Sequence, residues 1–260
     1  MRNSANGRIR KRAGDPSAEI RKGNPWYTDD QVEAAQGHQR FTIQRRMEFI
    51  RQIVHGYLET HANTSMYILD AGCGDGVQLQ ALTELPGKGV WGIDYNLLRT
   101  RRARQNAPVG NIVCGDLLRL PFRPGTFDVV VCSQVIEHIP EDTGLLESLA
   151  SALRPGGLLI LGTPNEGCFM ARMRNHFLEP TISKTSDHAH FYTESVIRQK
   201  IEAAGFFIAQ VMRENWFFPL QKLNHYFSTR RWGIRLMARL NKVIPSQTAG
   251  FYFLCAKASG

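Results

Sequence analysis

The sequence predicts an α/β fold with a doubly wound parallel sheet, on three observations. Short apolar runs recur along the chain: Tyr67-Ile-Leu-Asp70, Gly89-Val-Trp-Gly-Ile-Asp94, Asn111-Ile-Val-Cys-Gly-Asp116, Phe127-Asp-Val-Val-Val-Cys-Ser133 and Gly157-Leu-Leu-Ile-Leu-Gly162. A brief continuous apolar run reads as a buried parallel strand. Helix-length segments alternate with these runs, which implies βαβ units. The first run leads into glycines at 72, 74 and 76, where the backbone can turn sharply and approach a ligand without a Cβ in the way.

Each element follows from its local chemistry. Val77 to Leu82 opens a helix whose free N–H groups would face that ligand. Asp94 closes the second run, 24 residues after Asp70. A carboxylate there suits two neighbouring ribose hydroxyls, because it accepts two hydrogen bonds side by side. Ligands of such sheets lie beyond the carboxyl ends of the strands, where these acids sit.

Taken together, Ile68-Leu-Asp-Ala-Gly-Cys-Gly-Asp-Gly76, Gly92-Ile-Asp94, Gly115-Asp116-Leu117, Phe127-Asp-Val-Val-Val131 and Leu153-Arg-Pro-Gly-Gly-Leu158 resemble, in order and spacing, the class I S-adenosylmethionine (SAM) methyltransferases. The likeness covers roughly residues 45 to 212 and is of the small-molecule O-methyltransferase type, similar to the quinone O-methyltransferases. It implies a Rossmann-like seven-stranded sheet of order 3-2-1-4-5-7-6 with one antiparallel strand, helices on both faces and a helical cap. It also implies roles. Asp70, Gly72, Cys73, Gly74 and Gly76 would cradle the methionine part of SAM. Asp94, with Tyr95 beside it, would hold the ribose. Asp116 and Leu117 would frame the adenine, and Ser133 and Gln134 would lie near the sulfonium. The product would be S-adenosylhomocysteine.

The chain has 260 residues and a formal net charge of +9, enough to bury one full α/β core. The charge invites a polyanion, membrane or anionic substrate but says nothing of fold. Cysteines 73, 114, 132, 168 and 255 lack paired spacing and read as reduced thiols. Lacking an apolar run of about 18 residues and an apolar h-region behind the basic 1–23 segment, the chain is expected in the cytoplasm. Residues 1–23 read as a basic, disordered tail, and 24–260 as one methyltransferase domain.

Residues 31–60 read as a cap helix, with Phe41, Met47, Ile50, Val54, Tyr57 and Leu58 at helical spacing. The stretch His38-Gln-Arg-Phe-Thr-Ile-Gln-Arg45 is similar, one residue out of step, to a His-Arg-x-x-x-x-Arg segment of the quinone enzymes. That implies Arg40 as a partner of the SAM carboxylate; Arg45 and Arg46 are further candidates. Asn96 to Ala107 reads as a basic helix whose Arg99, Arg101, Arg102 and Arg104 form a solvated outer face.

Ser133-Gln-Val-Ile-Glu-His-Ile-Pro140 follows strand four, beside the expected methyl group. In the small-RNA 2′-O-methyltransferases and the quinone O-methyltransferases a Glu-x-x-Glu-His there binds a divalent metal; here Gln134 replaces the first glutamate. Asp187-His-Ala-His-Phe-Tyr-Thr193 resembles the metal-binding segment of the RNA enzymes, with His188 as ligand. The resemblance therefore implies Glu137, His138 and His188 as candidate ligands of a divalent metal, which would lower the pKa of an acceptor hydroxyl. Alternatively His138, His188 or His190 is a general base, or the histidines only hold the loop. Asn165, after strand five, is expected at the mouth of the pocket. The Asn/Asp-Pro-Pro-Tyr motif of the N-methylating enzymes is replaced by Ser133-Gln134, which points to a hydroxyl acceptor.

Residues 166–190 are expected to form a lid over the acceptor. Thr193 to Ala204 is a helix capped by Thr193 and ended by Gly205, Phe206 to Met212 strand six, and Phe251 to Ala256 strand seven. Between them, the 213–249 insertion holds an amphipathic helix over 231–244. Its apolar arc is Trp232, Leu236, Met237, Leu240, Val243 and Ile244, and its basic arc Arg235, Arg239 and Lys242. Two readings stay open there: packing on its own domain, or peripheral contact with an anionic membrane.

The expected activity is SAM-dependent transfer of a methyl group to a hydroxyl of a small-molecule, glycan or lipid-like acceptor. RNA 2′-O-methylation and a non-catalytic SAM-fold partner protein are the alternatives; no appended RNA-binding module or stacking motif is visible in the sequence.

Overall fold

The computed structural model describes residues 40–60, 66–85, 88–178 and 188–257. The 1–23 tail, residues 31–39 of the expected cap helix and 179–187 of the expected lid, Asp187 included, lie outside them.

Seven strands form one sheet of order β3-β2-β1-β4-β5-β7-β6. They are β1 (Met66–Ala71), β2 (Lys88–Asp94), β3 (Asn111–Cys114), β4 (Phe127–Ser133), β5 (Leu153–Pro164), β6 (Phe206–Arg213) and β7 (Gly250–Lys257). Every pairing from β3 through β5 is parallel. β7 alone runs the other way, antiparallel to β5 on one side and β6 on the other. This is the order and polarity that the resemblance implies. The helices are α1 (Arg40–Thr60), α2 (Val77–Thr83), α3 (Leu97–Asn106), α4 (Asp142–Ala152), α5 (Phe169–Met173), α6 (Glu194–Ala203), α7 (Gln221–Ser228) and α8 (Arg231–Val243).

Side chains alternate across a strand, so the central strands feed two cores. Val130, Cys132, Leu159, Leu161, Phe251 and Phe253 pack with Leu145, Leu146 and Leu149 of α4 and with Ile197 and Ile201 of α6. On the other face Val129, Val131, Ile160 and Tyr252 pack with Phe49, Ile50 and Val54 of α1 and with Leu79 and Leu82 of α2. At about 1.5–3 kcal/mol per buried large aliphatic or aromatic side chain, these two layers dominate the stability and fix where the strand ends fall.

Three expectations need correction. α3 does not present four arginines to water: Arg99 is buried, and Arg102 reaches within 3.7 Å of Asp75. The helix lies against the glycine loop, where Ala103 meets Gly76, and its arginines on that side are drawn toward the loop's acids. The 166–178 stretch, whose sequence shows no clear period, is partly helical. Its α5 buries Ala171, with Cys168 buried at its start, and Met170 N–H donates to Gln247 at 3.0 Å. The insertion holds two helices, α7 and α8, folded into a hairpin. Gly233 permits this, since a Cβ there would lie 2.2 Å from the Phe227 carbonyl oxygen. Among the described residues no helix is long and apolar enough to cross a membrane.

Candidate functional site

The site lies at the carboxyl ends of β1, β2, β4 and β5. The glycine loop after β1 is folded back onto β2. Gly72 and Cys73 N–H both donate to the Ile93 carbonyl, at 2.7 and 3.0 Å. Gly72 and Gly76 have φ of 81° and 84°. A Cβ on Gly72 would fall 2.3 Å from Val135, and one on Gly76 2.9 Å from the Ala103 backbone. Only glycine satisfies both the left-handed backbone and the crowding.

Two acids define the loop's edges. Asp94 is buried; its Oδ2 accepts from Gly74 N–H at 3.0 Å and its Oδ1 from Asn96 N–H at 2.8 Å. Burial raises its pKa, against the pull of those two N–H groups and the Arg99 charge. Each oxygen keeps a second lone pair for a ligand. Asp70 accepts from Gln78 at 2.7 Å through Oδ1, while its buried Oδ2 has no hydrogen-bond partner among the described residues. Burial pushes Asp70 up to about 7, with a smaller push from Asp94 and a counter-pull from Gln78.

Such a set fits SAM. An unpartnered buried carboxylate oxygen accepts from an ammonium or other N–H donor, a two-oxygen acid accepts from a diol, and a loop free of Cβ atoms leaves room for the chain between them. Asp116 is exposed and caps the turn Leu117–Arg119, with Leu118 N–H 2.9 Å from its Oδ1; Leu117 beside it is buried. Tyr95 follows Asp94 at the end of β2.

The turn after β4 holds the candidate chemical groups. Gln134 has φ of 58°, the only positive value outside glycine among the described residues, a conformation costing about 1–2 kcal/mol for a side chain with Cβ. Its buried Nε2 has no partner among the described residues. Ser133 Oγ lies 2.6 Å from the Tyr252 hydroxyl, whose pKa burial pushes up to about 12. Past the turn, Glu137 is fully buried and accepts from Thr163 at 3.3 Å. Burial raises its pKa, His138 opposing.

The Glu137 carbonyl accepts from Ala189 and His190 N–H, at 2.7 and 3.1 Å. Those two bonds bring the 188–190 segment onto the turn. Glu137, His138 and His188 thereby offer ligand atoms within 4.8 Å of one another, and the two imidazole rings are 4.7 Å apart. A carboxylate and two imidazoles form a donor set suited to a borderline divalent ion.

The structure adds Glu166, which the sequence reading missed. Its Oε2 lies 2.8 Å from His188 Nδ1, and Arg174 reaches its other oxygen at 3.3 Å. No sequence spacing connects Glu166 to His188; its place just after β5, at the site end of the sheet, was the available signal.

Other expected residues are spent elsewhere. His190 Nε2 lies 3.1 Å from the Ile139 and Pro140 carbonyls, so it holds the loop and does not face the His138–His188 cluster. Arg45 hydrogen-bonds Asn215 and Arg46 pairs with Glu214, so neither waits for a carboxylate. Arg40 heads α1, its side chain outside the described residues. Asn165 is buried, not at a pocket mouth, and its amide donates to the Ser246 and Thr248 carbonyls, both at 2.9 Å. All five cysteines are free.

Comparison with known proteins bears on this arrangement. A Ubiquinone biosynthesis O-methyltransferase of Colwellia psychrerythraea is 30% identical over 130 residues, 46% of this chain and 52% of that protein. A 2-methyl-6-phytyl-1,4-hydroquinone methyltransferase of Synechocystis is 26% identical over 184 residues, 68% of this chain and 58% of that one. The chain thus spans about half the length of the curated relatives it matches. Among solved structures, a SAM dependent methyltransferase from Archaeoglobus fulgidus superposes with a TM-score of 0.55 at 16% identity, over 84% of this chain and 99% of that one. The [4+2]-cyclase SpnF does so at 0.53 and 17% identity, over 75% and 76%. These two likenesses concern the fold. The family model for a methyltransferase domain matches residues 38–211, and the chain belongs to that family, the class I SAM-dependent methyltransferases.

Proposed function

We propose that this chain moves a methyl group from SAM to a hydroxyl oxygen of a small, apolar, quinol-like acceptor. The observation that carries the reading is the Glu166–His188–His138–Glu137 cluster at the end of β4, beside the strained Gln134 turn. The names of the ubiquinone and hydroquinone relatives support the acceptor class.

In this reading Asp94 accepts from the ribose hydroxyls, and Asp116 and Leu117 frame the adenine. Asp70 Oδ2 accepts from the ammonium of the methionine part, whose positive charge would draw its pKa back down. The Gly72–Gly76 loop leaves room for that part, and Ser133 and Gln134 border the sulfonium. When bound, SAM supplies an activated methyl group on positively charged sulfur. The chain's main contribution is alignment of two reactants.

With Nδ1–H donating to Glu166, the Nε2 lone pair of His188 takes the acceptor's proton. The Glu166 charge stabilises the imidazolium so formed. A second use of the same atoms is favoured by their geometry: Glu137, His138 and His188 would hold a divalent metal, with Glu166 orienting His188 from behind. The metal would supply Lewis acidity toward the hydroxyl.

Radiolabelled methyl transfer from SAM tests the reading, run on a panel of quinols and catechols and on cell extract fractionated into RNA, protein, lipid and small molecules, with and without chelator. Label in a quinol or in the lipid and small-molecule fractions is expected. Label confined to RNA would overturn the acceptor class, and full activity in chelator would leave His188 as base without a metal.

A further inference from the structure

We propose that the α7–α8 hairpin is a docking surface for an anionic lipid bilayer. The argument starts from α8. At 100° per residue its apolar side chains span a wider arc than the fold covers. The inner edge, Gly233 and Met237, is buried, Gly233 against the Phe227 backbone of α7. The outer edge is not: Trp232 is 52% exposed and Val243 76%. They are 11 residues apart and therefore nearly eclipsed on the helix, with Leu236 between them. Of the six apolar residues only Met237 is buried, and Trp232, Val243 and Ile244 are exposed, which leaves a wet apolar strip.

α7 extends that strip. Tyr226, also exposed, meets Trp232 edge-on at 6.3 Å between ring centroids, and Leu223 lies one turn before it. Cations border the strip. Arg231, Arg235, Arg239 and Lys242 are all exposed along α8, and Arg230 sits over the Tyr226 ring at 3.5 Å. From Asn215 onward the sequence contains no acidic residue.

An apolar strip with aromatic rings, edged by cations on long stems, matches the headgroup boundary, where the rings enter and the stems reach back to phosphates. The same charge pattern disfavours a second copy of this chain, since a twofold contact through the hairpin would set cation against cation. It also disfavours nucleic acid, for which exposed Val243 and Leu223 have no use.

The hairpin is braced against the candidate site. Asn241 donates to the Glu214 carbonyl at 2.9 Å. Asn165 and Met170, on either side of Glu166, bond the 246–248 turn that follows α8. A bilayer under the hairpin would therefore lie next to the segment that carries Glu166.

The test is co-sedimentation of the full chain with phosphatidylcholine vesicles with and without phosphatidylglycerol, across a salt series. Wild type is expected to pellet with the anionic vesicles only, less at high salt. Arg235→Glu with Arg239→Glu, and separately Trp232→Glu with Val243→Glu, are each expected to weaken binding at least about tenfold. S-adenosylhomocysteine affinity should stay unchanged in both, which shows that the variants are folded. Variants that pellet like wild type would overturn the proposal and transfer the binding to another basic segment. So would a concentration-dependent dimer, or RNA binding, that the same variants abolish while vesicles are ignored. If wild type bound vesicles but no S-adenosylhomocysteine, the methyl-transfer reading would fail and the docking surface would stand.

Discussion

Glu166 and His188, 22 residues apart, meet at 2.8 Å, and the contact makes one ring nitrogen differ from the other. Burial alone would raise the Glu166 pKa. The His188 hydrogen bond and charge, with Arg174, outweigh it and hold the carboxyl below its ordinary value. Glu166 is thus ionised across the neutral range, and the stability it contributes is lost only as pH falls through its lowered folded value.

Glu166→Gln retains the shape but removes the charge. It is expected to lower kcat about 10–100-fold, the scale for losing a group that orients an imidazole ligand or base. S-adenosylhomocysteine affinity, measured by calorimetry, should not move. Unaltered kcat would detach Glu166 from the chemistry.

Asp94→Ala removes the acceptor of two backbone N–H groups and of the proposed ribose contact. Weakening of S-adenosylhomocysteine by about 1–3 kcal/mol is expected, with a lower Tm because the Gly74 and Asn96 amides lose their partner. A lower Tm with unchanged affinity would keep the structural role and refute the ligand role.

Asp70 gives a pH signature. Its folded pKa of about 7 lies above the unfolded value, so between about pH 4 and 7 the native state holds the extra proton. Stability attributable to this group therefore falls as pH rises through that window and levels off above it. Asp70→Asn is expected to raise Tm at pH 8 relative to wild type and to leave it nearly unchanged at pH 4. In wild type, S-adenosylhomocysteine should bind with proton release near pH 7, read from calorimetry in two buffers of different ionisation enthalpy.

Gly233→Ala drives a methyl group into the Phe227 backbone. A loss of roughly 1–3 kcal/mol by overpacking is expected, seen as a lower Tm. The glycine loop lies outside this contact, so cofactor affinity should persist; its loss would tie the hairpin into the cofactor site.

What the sequence made legible follows from range. β1, β2 and β4 announce themselves because each is a continuous apolar run closed by a turn, and the Asp70–Gly76 loop because its chemistry lies within one turn of chain. Thr193 as a helix cap, its hydroxyl accepting from Val196 N–H, is local in the same sense. Glu166 at His188, Arg99 under the glycine loop and Asn165 clasping the 246–248 turn are contacts across the fold. No periodicity foretells them, and a buried arginine in a basic helix reads as solvated until its neighbours are known. α7 was missed because eight polar-aromatic residues carry too little pattern to set apart from a loop.

The inserted position of β7 has a consequence for how the chain reaches this state. β5 and β6 do not touch until β7 lies between them, and β7 follows both in sequence. While the 36 residues between β6 and β7 are being made, the open ladder edge of β5 and the fully buried Leu159, Ile160 and Leu161 beside it have no neighbour on that side. Nascent protein at that stage presents an unpaired, apolar strand edge, the kind that captures other chains. The interval before β7 docks is where aggregation or chaperone dependence should concentrate.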